Sequence, residues 1–436
     1  MLTISGLPRL RARLPSRNWS IFFAVTGGFA SAIFYDKYQT RRNRQKWCDL
    51  VSHLNDEALS NHQMPRRVTI YLAAPPGDGL RYAREHFHEY IKPVLVAGAM
   101  DWDVVEGRKE GDVRHKTAEK VRKRRRKGGE GELGEEFAGE VMVEEQRKKN
   151  GTHEWDGVGG DIVVGRHTWK EYLKGLHEGW LGPVEVPQSE EEVQPSLPQE
   201  QRQHVPGQLS LGDTAVQGAA NAVSSDLNIQ QPLVSSLSDV VSTDPAQSSE
   251  TSSDSPTEEK KEEKPKPRQP PPYIQPSDYD TASLSTLTPD LIGPSVGISM
   301  PHILGFRHTP LRMYRFLTRR HLADDAGRDV ASAVMASYRP YDTVDVPRGD
   351  DAAVSADAGR VSEASRVLDH EEKDWYKLVN RAREPHEESV WIDDVKLDER
   401  LAQRMRAFQL TAEDEDRAKR IGEGKEKVRR IEEDEG

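Results

Sequence analysis

The chain reads as an α/β protein with a single N-terminal transmembrane helix followed by a soluble strand-helix domain with long disordered inserts. Three observations carry that reading. Asn18 to Tyr35, NWSIFFAVTGGFASAIFY, holds 18 residues with no ionisable side chain. Strands rich in β-branched residues alternate with amphipathic helices between residues 66 and 183, the grammar of a parallel sheet with covering helices. Residues 181 to 272 contain no Phe, Trp or Tyr and are dominated by Ser, Gln, Pro, Glu and Val. Such a stretch lacks the apolar surface needed to offset the entropy of ordering.

The apolar run is the first element. At about 1.5 Å per helical residue it covers roughly 27 Å, close to the hydrocarbon thickness of a bilayer. Phe22, Phe23, Phe29 and Phe34 supply its apolar bulk. Trp19 at one end and Tyr35 at the other sit where amphipathic rings prefer the headgroups, and Gly27 with Gly28 offers a small patch for close helix contact. Residues 1–17 carry Arg9, Arg11, Arg13 and Arg17 and no acid, the composition of a mitochondrial transit sequence. A secretory signal is the alternative, with Ala30-Ser31-Ala32 as its cleavage site; against it, Cys48 is the only cysteine and can form no internal disulfide. Lys37, Arg41, Arg42, Arg44 and Lys46 follow the run as densely as arginines precede it, so charge alone does not orient the helix.

Beyond a juxtamembrane segment at 36–65, the 436-residue chain is polar, 31% charged with a formal net charge of −11. The α/β domain begins at 66–183, where RVTIYLAA (Arg67–Ala74) is a strand closed by the turn Pro75-Pro76-Gly77-Asp78-Gly79. A helix follows with Leu80, Ala83, Phe87, Ile91 and Leu95 on one face, and Pro93 should kink or restart it. Trp102–Val105 is a second strand, and Asp112 can cap the helix after it. Asp161–Val164 is a third strand, followed by TWKEYLKGLHEGW as a helix ending at Gly182-Pro183. A charged, Gly-rich insert occupies 127–150, and 184–275 is a disordered linker. The domain continues at 276–341, with a strand expected over Ile298–Phe306 and a helix over Pro310–His321. A flexible loop at 342–364, an ordered segment at 365–410 and a charged tail at 411–436 complete the chain.

No catalytic constellation is complete. Gly77-Asp78-Gly79 starts like a dinucleotide fingerprint, but Tyr82 stands where the third glycine belongs, and no Gly-Lys-Ser/Thr forms a phosphate loop. Asp78 is nevertheless the residue that an enzyme or nucleotide-binding reading would use. The His-Glu pairs at His153, His177, His370 and His386 lack the second histidine of a zinc-hydrolase helix. Cys48 has neither an activating partner nor a second thiol nearby in sequence. No cofactor, metal or catalytic residue is therefore assigned.

Two segments are candidate interaction surfaces. Gly107 to Lys127 holds 11 lysines and arginines against three acids. Arg122, Arg124 and Arg125 could meet phosphate, anionic lipid or an acidic protein face. Nucleic acid is the poorest fit, because no aromatic residue interleaves the cluster. LDERLAQRMRAFQL (Leu397–Leu410) sets Leu401, Met405 and Phe408 at helical spacing, with Arg400, Arg404 and Arg406 around them. Such a stripe serves either a core or a partner groove.

In order along the chain, NWSIFFAVTGGFASAIFYDK, RQKWCDLVSHL, MPRRVTIYLAAPPGDGLRYAREHFHEYIKPVLVAGAMDWDVVEGRKEGDVRHKTAEKVRKRRR, GDIVVGRHTWKEYLKGLHEGWLGP and LDERLAQRMRAFQL resemble the Tim fifty-four family, fungal subunits of the mitochondrial inner-membrane translocase that inserts carrier proteins. The likeness covers most of the ordered chain, and Met64 to Arg126 is its most specific part. The resemblance implies a non-enzymatic, single-span protein with its N-terminus in the matrix and its bulk in the intermembrane space. It also implies as partners the channel-forming subunit of the carrier translocase, the small Tim chaperones, carrier precursors, inner-membrane lipid and, through its assembly, the i-AAA protease.

Overall fold

β-branched and aromatic residues make β1 (Arg67–Ala73) the spine of the molecule, and every residue after Arg67 is buried. The computed structural model describes residues 16–56, 62–132, 138–153, 155, 159–185, 271–345, 360–375, 379, 391 and 393–426. These belong to one compact unit formed from residues 1–187 and 268–436. Most of the expected linker, 186–270, lies outside the described residues, as does most of the segment 1–17.

Before the sheet comes α1 (Arg17–Val51), one unbroken helix of 35 residues. It runs through the expected span and on into the domain, where Trp47, Leu50 and Val51 are buried. Trp19, Phe22, Phe23, Phe29, Phe34 and Tyr35 are exposed, and a Cβ on Gly27 or Gly28 would meet nothing within 4 Å. Among the described residues, no helix is long and apolar enough to cross a membrane. Asn18, Ser20, Thr26, Gly27, Gly28 and Ser31 dilute the apolar run.

After β1, α2 (Leu80–His86) passes through a π turn (Phe87–Ile91) into α3 (Lys92–Ala97), with Pro93 in its first turn. The restart expected at Pro93 is therefore present, since a proline is tolerated where no helical N–H bond is required. β2 (Asp101–Gly107) pairs parallel to β1 from Arg67↔Asp101 to Ala73↔Gly107. α4 (Asp112–Lys127) follows, and the stretch expected as an insert carries α5 (Ala138–Lys149). β3 (Asp161–Val164) pairs parallel to β1, and α6 (Arg166–Leu181) leads off it. β4 (Ser295–Ile298) pairs parallel to β3. It ends where a strand is expected to start, because the buried residues Ser295, Val296 and Ile298 lie ahead of Pro301.

α7 (Thr309–Phe316) and α8 (Arg319–Val334) replace the single helix expected over 310–321. β5 (Tyr338–Pro340) is followed by a small antiparallel pair, β6 (Thr343–Asp345) and β7 (Arg360–Ser362), which makes strand of both ends of the loop expected over 342–364. Two short helices, α9 (Glu363–Arg366) and α10 (Asp369–Glu372), come next. The helix expected over 397–410 is only one turn, α11 (Glu399–Ala402), and gives way to strand β8 (Arg406–Phe408). In the tail, α12 (Ala412–Gly422) is capped by Thr411, whose side chain accepts from Asp414 N.

The sheet order is β2-β1-β3-β4-β8-β5, parallel except for β5. Alternation along the strands sends side chains to opposite faces. Val68, Ile70, Leu72, Ile162, Val164 and Ile298 meet α1, α2, α3 and α8 on one face. Tyr71, Ala73 and Val163 meet α4 and α6 on the other. The chain reverses its direction of travel across the sheet between β1 and β3, the point where such folds open a ligand crevice.

Candidate functional site

The crevice at that reversal is the first place to look for chemistry, and the protein's own side chains fill it. Three donors converge there: the N–H of Arg166 opening α6, the N–H of Met300 just past β4, and the Ser299 hydroxyl. All donate to the Glu371 carboxylate, at 2.8, 2.6 and 2.8 Å. An anion at a helix N-terminus is the usual occupant of such a position, and here it arrives from α10. Glu371 is 6% exposed, and burial pushes its carboxyl upward against the pull of the three donors. His167 stacks on Trp391 with ring centres 4.6 Å apart, and burial pushes its pKa down to about 3. Pro75, Pro76, Met300, Pro301 and Trp375 close over a residual void of about 10 Å³, at the limit for one water molecule. A dinucleotide has no room there.

Asp78 stands exposed beside this plug. Its carboxylate accepts from Gly79 N at 2.8 Å and lies 3.8 Å from His302 Nε2. The Pro75–Gly79 turn is thus closed by local hydrogen bonds, including Asp78 N to Pro75 O at 3.2 Å. An open groove of about 490 Å³ lies nearby, lined by Arg166, Lys170 and Arg366 and by Asp369, Glu372 and Asp394. Its charges answer one another: Lys170 meets Glu372 at 2.5 Å and Arg166 meets Asp369 at 2.6 Å. Among the described residues, no group of His, Cys, Asp or Glu is arranged to hold a metal ion.

The basic helix proves to be largely internal. Gly175 and Gly179 let α6 approach α4 so closely that a Cβ would come within 2.6 Å of Arg114 O or 2.5 Å of Val121 Cβ. Into that contact Glu178 brings a carboxylate shared by Arg114 and by Arg122, the latter at 2.6 Å. All three side chains are buried, and the Arg122 guanidinium also lies 3.9 Å over the Tyr273 ring. Arg125 donates to the carbonyls of Gly179 and Gly182 at 2.6 and 2.7 Å. Lys123 and Lys127 pair with Glu140 and Glu144 of α5. Of Arg122, Arg124 and Arg125, only Arg124 faces outward. The sequence displays the arginines together but not their partner, which comes 56 residues after Arg122.

The C-terminal candidates also divide. Met405 is buried on the α4–α6 face and Phe408 on the opposite face. They part because β8, rather than a helix, carries the end of the segment, and a strand alternates its side chains. Phe408 fits a niche that Gly160 leaves open, where a Cβ would come within 2.4 Å of the ring. Arg404 donates to Thr288 O at 3.0 Å and Arg406 to Gln403 O at 2.7 Å. Both arginines tie down backbone.

Glu371, Glu178, Arg166 and Trp47 organise the molecule without having been singled out in the sequence. For Trp47 the signal was available, as an indole in an otherwise charged juxtamembrane stretch.

The family model described as "Inner membrane protein import complex subunit Tim54" matches residues 1–408. A protein of Aspergillus oryzae named mitochondrial import inner membrane translocase subunit tim54 is 44% identical over 435 residues, covering 97% of this chain and 90% of that protein. The Aspergillus fumigatus protein of the same name is 43% identical, covering 94% and 90%. That of Neurospora crassa is 41% identical, covering 98% and 84%. With a match of that extent, and relatives so similar over nearly their whole length, the chain belongs to the Tim54 family.

Proposed function

We propose that the protein is a non-catalytic subunit of the mitochondrial inner-membrane translocase that inserts multi-span carrier proteins. The observation that carries this reading is the family match, joined to a ligand crevice occupied by Glu371. A subunit that works by holding partners needs surfaces rather than a pocket, and the crevice where this fold class usually binds ligands is filled from within. In this reading the exposed apolar half of α1, around Phe22, Phe23 and Phe29, anchors the chain once in the inner membrane. The acid-free segment 1–17 lies in the matrix and the domain in the intermembrane space. There it stabilises the complex beside the channel-forming subunit and receives the small Tim chaperones with their carrier precursors. A link to i-AAA protease assembly is part of the same proposal. Arg124 is the outward-facing basic residue to test as a contact.

Protease added to mitochondria with a ruptured outer membrane should digest the chain after about Lys37, and the chain should co-migrate with a large inner-membrane complex on native gels. A domain protected from protease under those conditions would refute the orientation. Migration as a free monomer would refute the subunit assignment.

A further inference from the structure

We propose that the segment Phe306–His321, centred on α7, lies on an anionic bilayer surface beside the point where α1 leaves the domain. The inference deepens the anchoring proposed above and rests on it. α7 is a helix with no buried residue. A helix of eight residues has little stability of its own in water, so one that leaves every side chain at least partly exposed calls for an outside surface. The segment exposes large apolar side chains: Phe306, in the turn before α7, is 92% exposed and Tyr314 64%, with Leu311, Met313 and Phe316 exposed as well.

The arrangement is that of an interfacial helix. Within α7, Arg312 and Arg315 recur at i and i+3 on one side and Met313 and Tyr314 lie away from them, while Phe316 ends the helix with the Arg319 guanidinium 4.9 Å over its ring. Arg315 is turned to the domain, where it pairs with Asp374. Met313 and Tyr314 stay exposed. Phe306 to His321 holds five arginines and no acid, and Arg307, Arg312 and Arg319 have no carboxylate partner among the described residues. Guanidinium groups flanking exposed rings suit phosphate headgroups over acyl chains.

Position identifies the surface. Arg320, at the start of α8, binds the Asp36 carboxylate at 3.3 Å and lies 5.6 Å over the Tyr35 ring. Tyr35 ends the exposed apolar stretch of α1. α8 then runs in the same direction as α1, with Asn43 donating to Arg320 O and Trp47 donating to Asp324. α7 therefore sits at the end of the domain from which the apolar half of α1 projects. A bilayer holding Phe22 and Phe23 would be the surface nearest to α7.

The test uses the full chain with Cys48→Ser, reconstituted into vesicles of phosphatidylcholine with or without phosphatidylglycerol. A polarity-sensitive dye is attached at Met313→Cys, Phe316→Cys, Phe23→Cys or, as an aqueous control, Met142→Cys on α5. Labels at 313 and 316 should shift to the blue and be quenched by acyl-chain quenchers, more strongly in the anionic vesicles, while 142 stays aqueous. Arg307→Glu with Arg312→Glu should abolish the anionic preference and leave the melting temperature unchanged. An aqueous label at 313 with 23 in lipid overturns this inference alone and leaves the face to a protein partner. Aqueous labels at both 23 and 313 overturn the anchor as well. Equal response in the two vesicle types overturns the anionic preference.

Discussion

The indole N–H of Trp47 donates to the Asp324 carboxylate across 2.8 Å, joining two helices at residues 277 apart in the chain. The ring lies over Gly327, where a Cβ would come within 2.4 Å of Trp47 Cδ1. The segment following the exposed half of α1 is thus an inner wall of the core.

Trp47→Ala should destabilise the domain by about 3 to 5 kcal/mol, as aromatic truncations in cores do. Gly327→Ala should cost about 1 to 3 kcal/mol by overpacking the same contact from the other side. Denaturant unfolding of the detergent-solubilised chain measures both. If neither variant moves the midpoint, α1 does not dock on α8 as described.

Glu178→Gln should cost about 3 to 5 kcal/mol, because it leaves Arg114 and Arg122 buried with their shared charge removed. Arg124→Glu, two residues from Arg122 but exposed, should stay within about 0.5 kcal/mol of the parent. Equal effects at the two sites would mean that the basic helix is solvated throughout.

Met405→Asp should lower the melting temperature outright. Met405 is 2% exposed within the core, and a buried aspartate should cost more than the about 2 to 5 kcal/mol of a Met to Ala truncation. Unchanged melting with loss of complex assembly would make Met405 a docking residue.

Acid should weaken the fold through two histidines. Burial lowers His86 to about 4 and His167 to about 3 from the ordinary 6.5. Below pH 6.5 the unfolded chain takes up protons that the folded chain refuses, so stability falls as pH drops toward 4. The loss per histidine is about 1.4 kcal/mol per pH unit. Asp329, pushed up to about 7 by burial, works in the opposite sense: the folded chain holds its proton, and stability is lost as pH rises toward 7. His167→Gln should therefore flatten the acid limb of a stability–pH curve, and Asp329→Asn should stabilise at pH 8 but not at pH 4. Identical curves for parent and variants would refute the buried, neutral states.

Local pattern was enough to read β1, β2, β3, α6 and the restart at Pro93, because each is written in contiguous residues as a β-branched run, an apolar spacing of helical period or a fixed φ. What escaped depends on partners far apart in the chain. The arginines of α4 look like a surface until Glu178 is placed among them, and Leu401, Met405 and Phe408 fit a helix until Ala407 pairs with Ser295 and Arg339. The crevice was legible as a position but not as occupied, since Glu371 lies 205 residues from the N–H it accepts. The apolar run at 18–35 was legible as hydrophobic, while its dilution by Ser, Thr and Gly sets it below an ordinary spanning segment.

The position of β8 in the sheet carries a consequence for the order of events when the protein is made. Among the described residues β8 is the last strand, yet it enters between β4 and β5. α1, the first helix, meets its cover on α8 only after some 277 residues. A chain that emerges N-terminus first therefore has its apolar helix ready long before the walls that bury its lower half. The early half can collapse locally around β1, β2 and β3, but closure waits for the last residues, because contacts of long sequence separation form slowly. Until Glu371 and Phe408 arrive, the N–H groups of Arg166 and Met300 and the niche beside Gly160 remain open to other chains. A ribosome stalled before residue 371 would display them, and that interval is when a chaperone has most to hold.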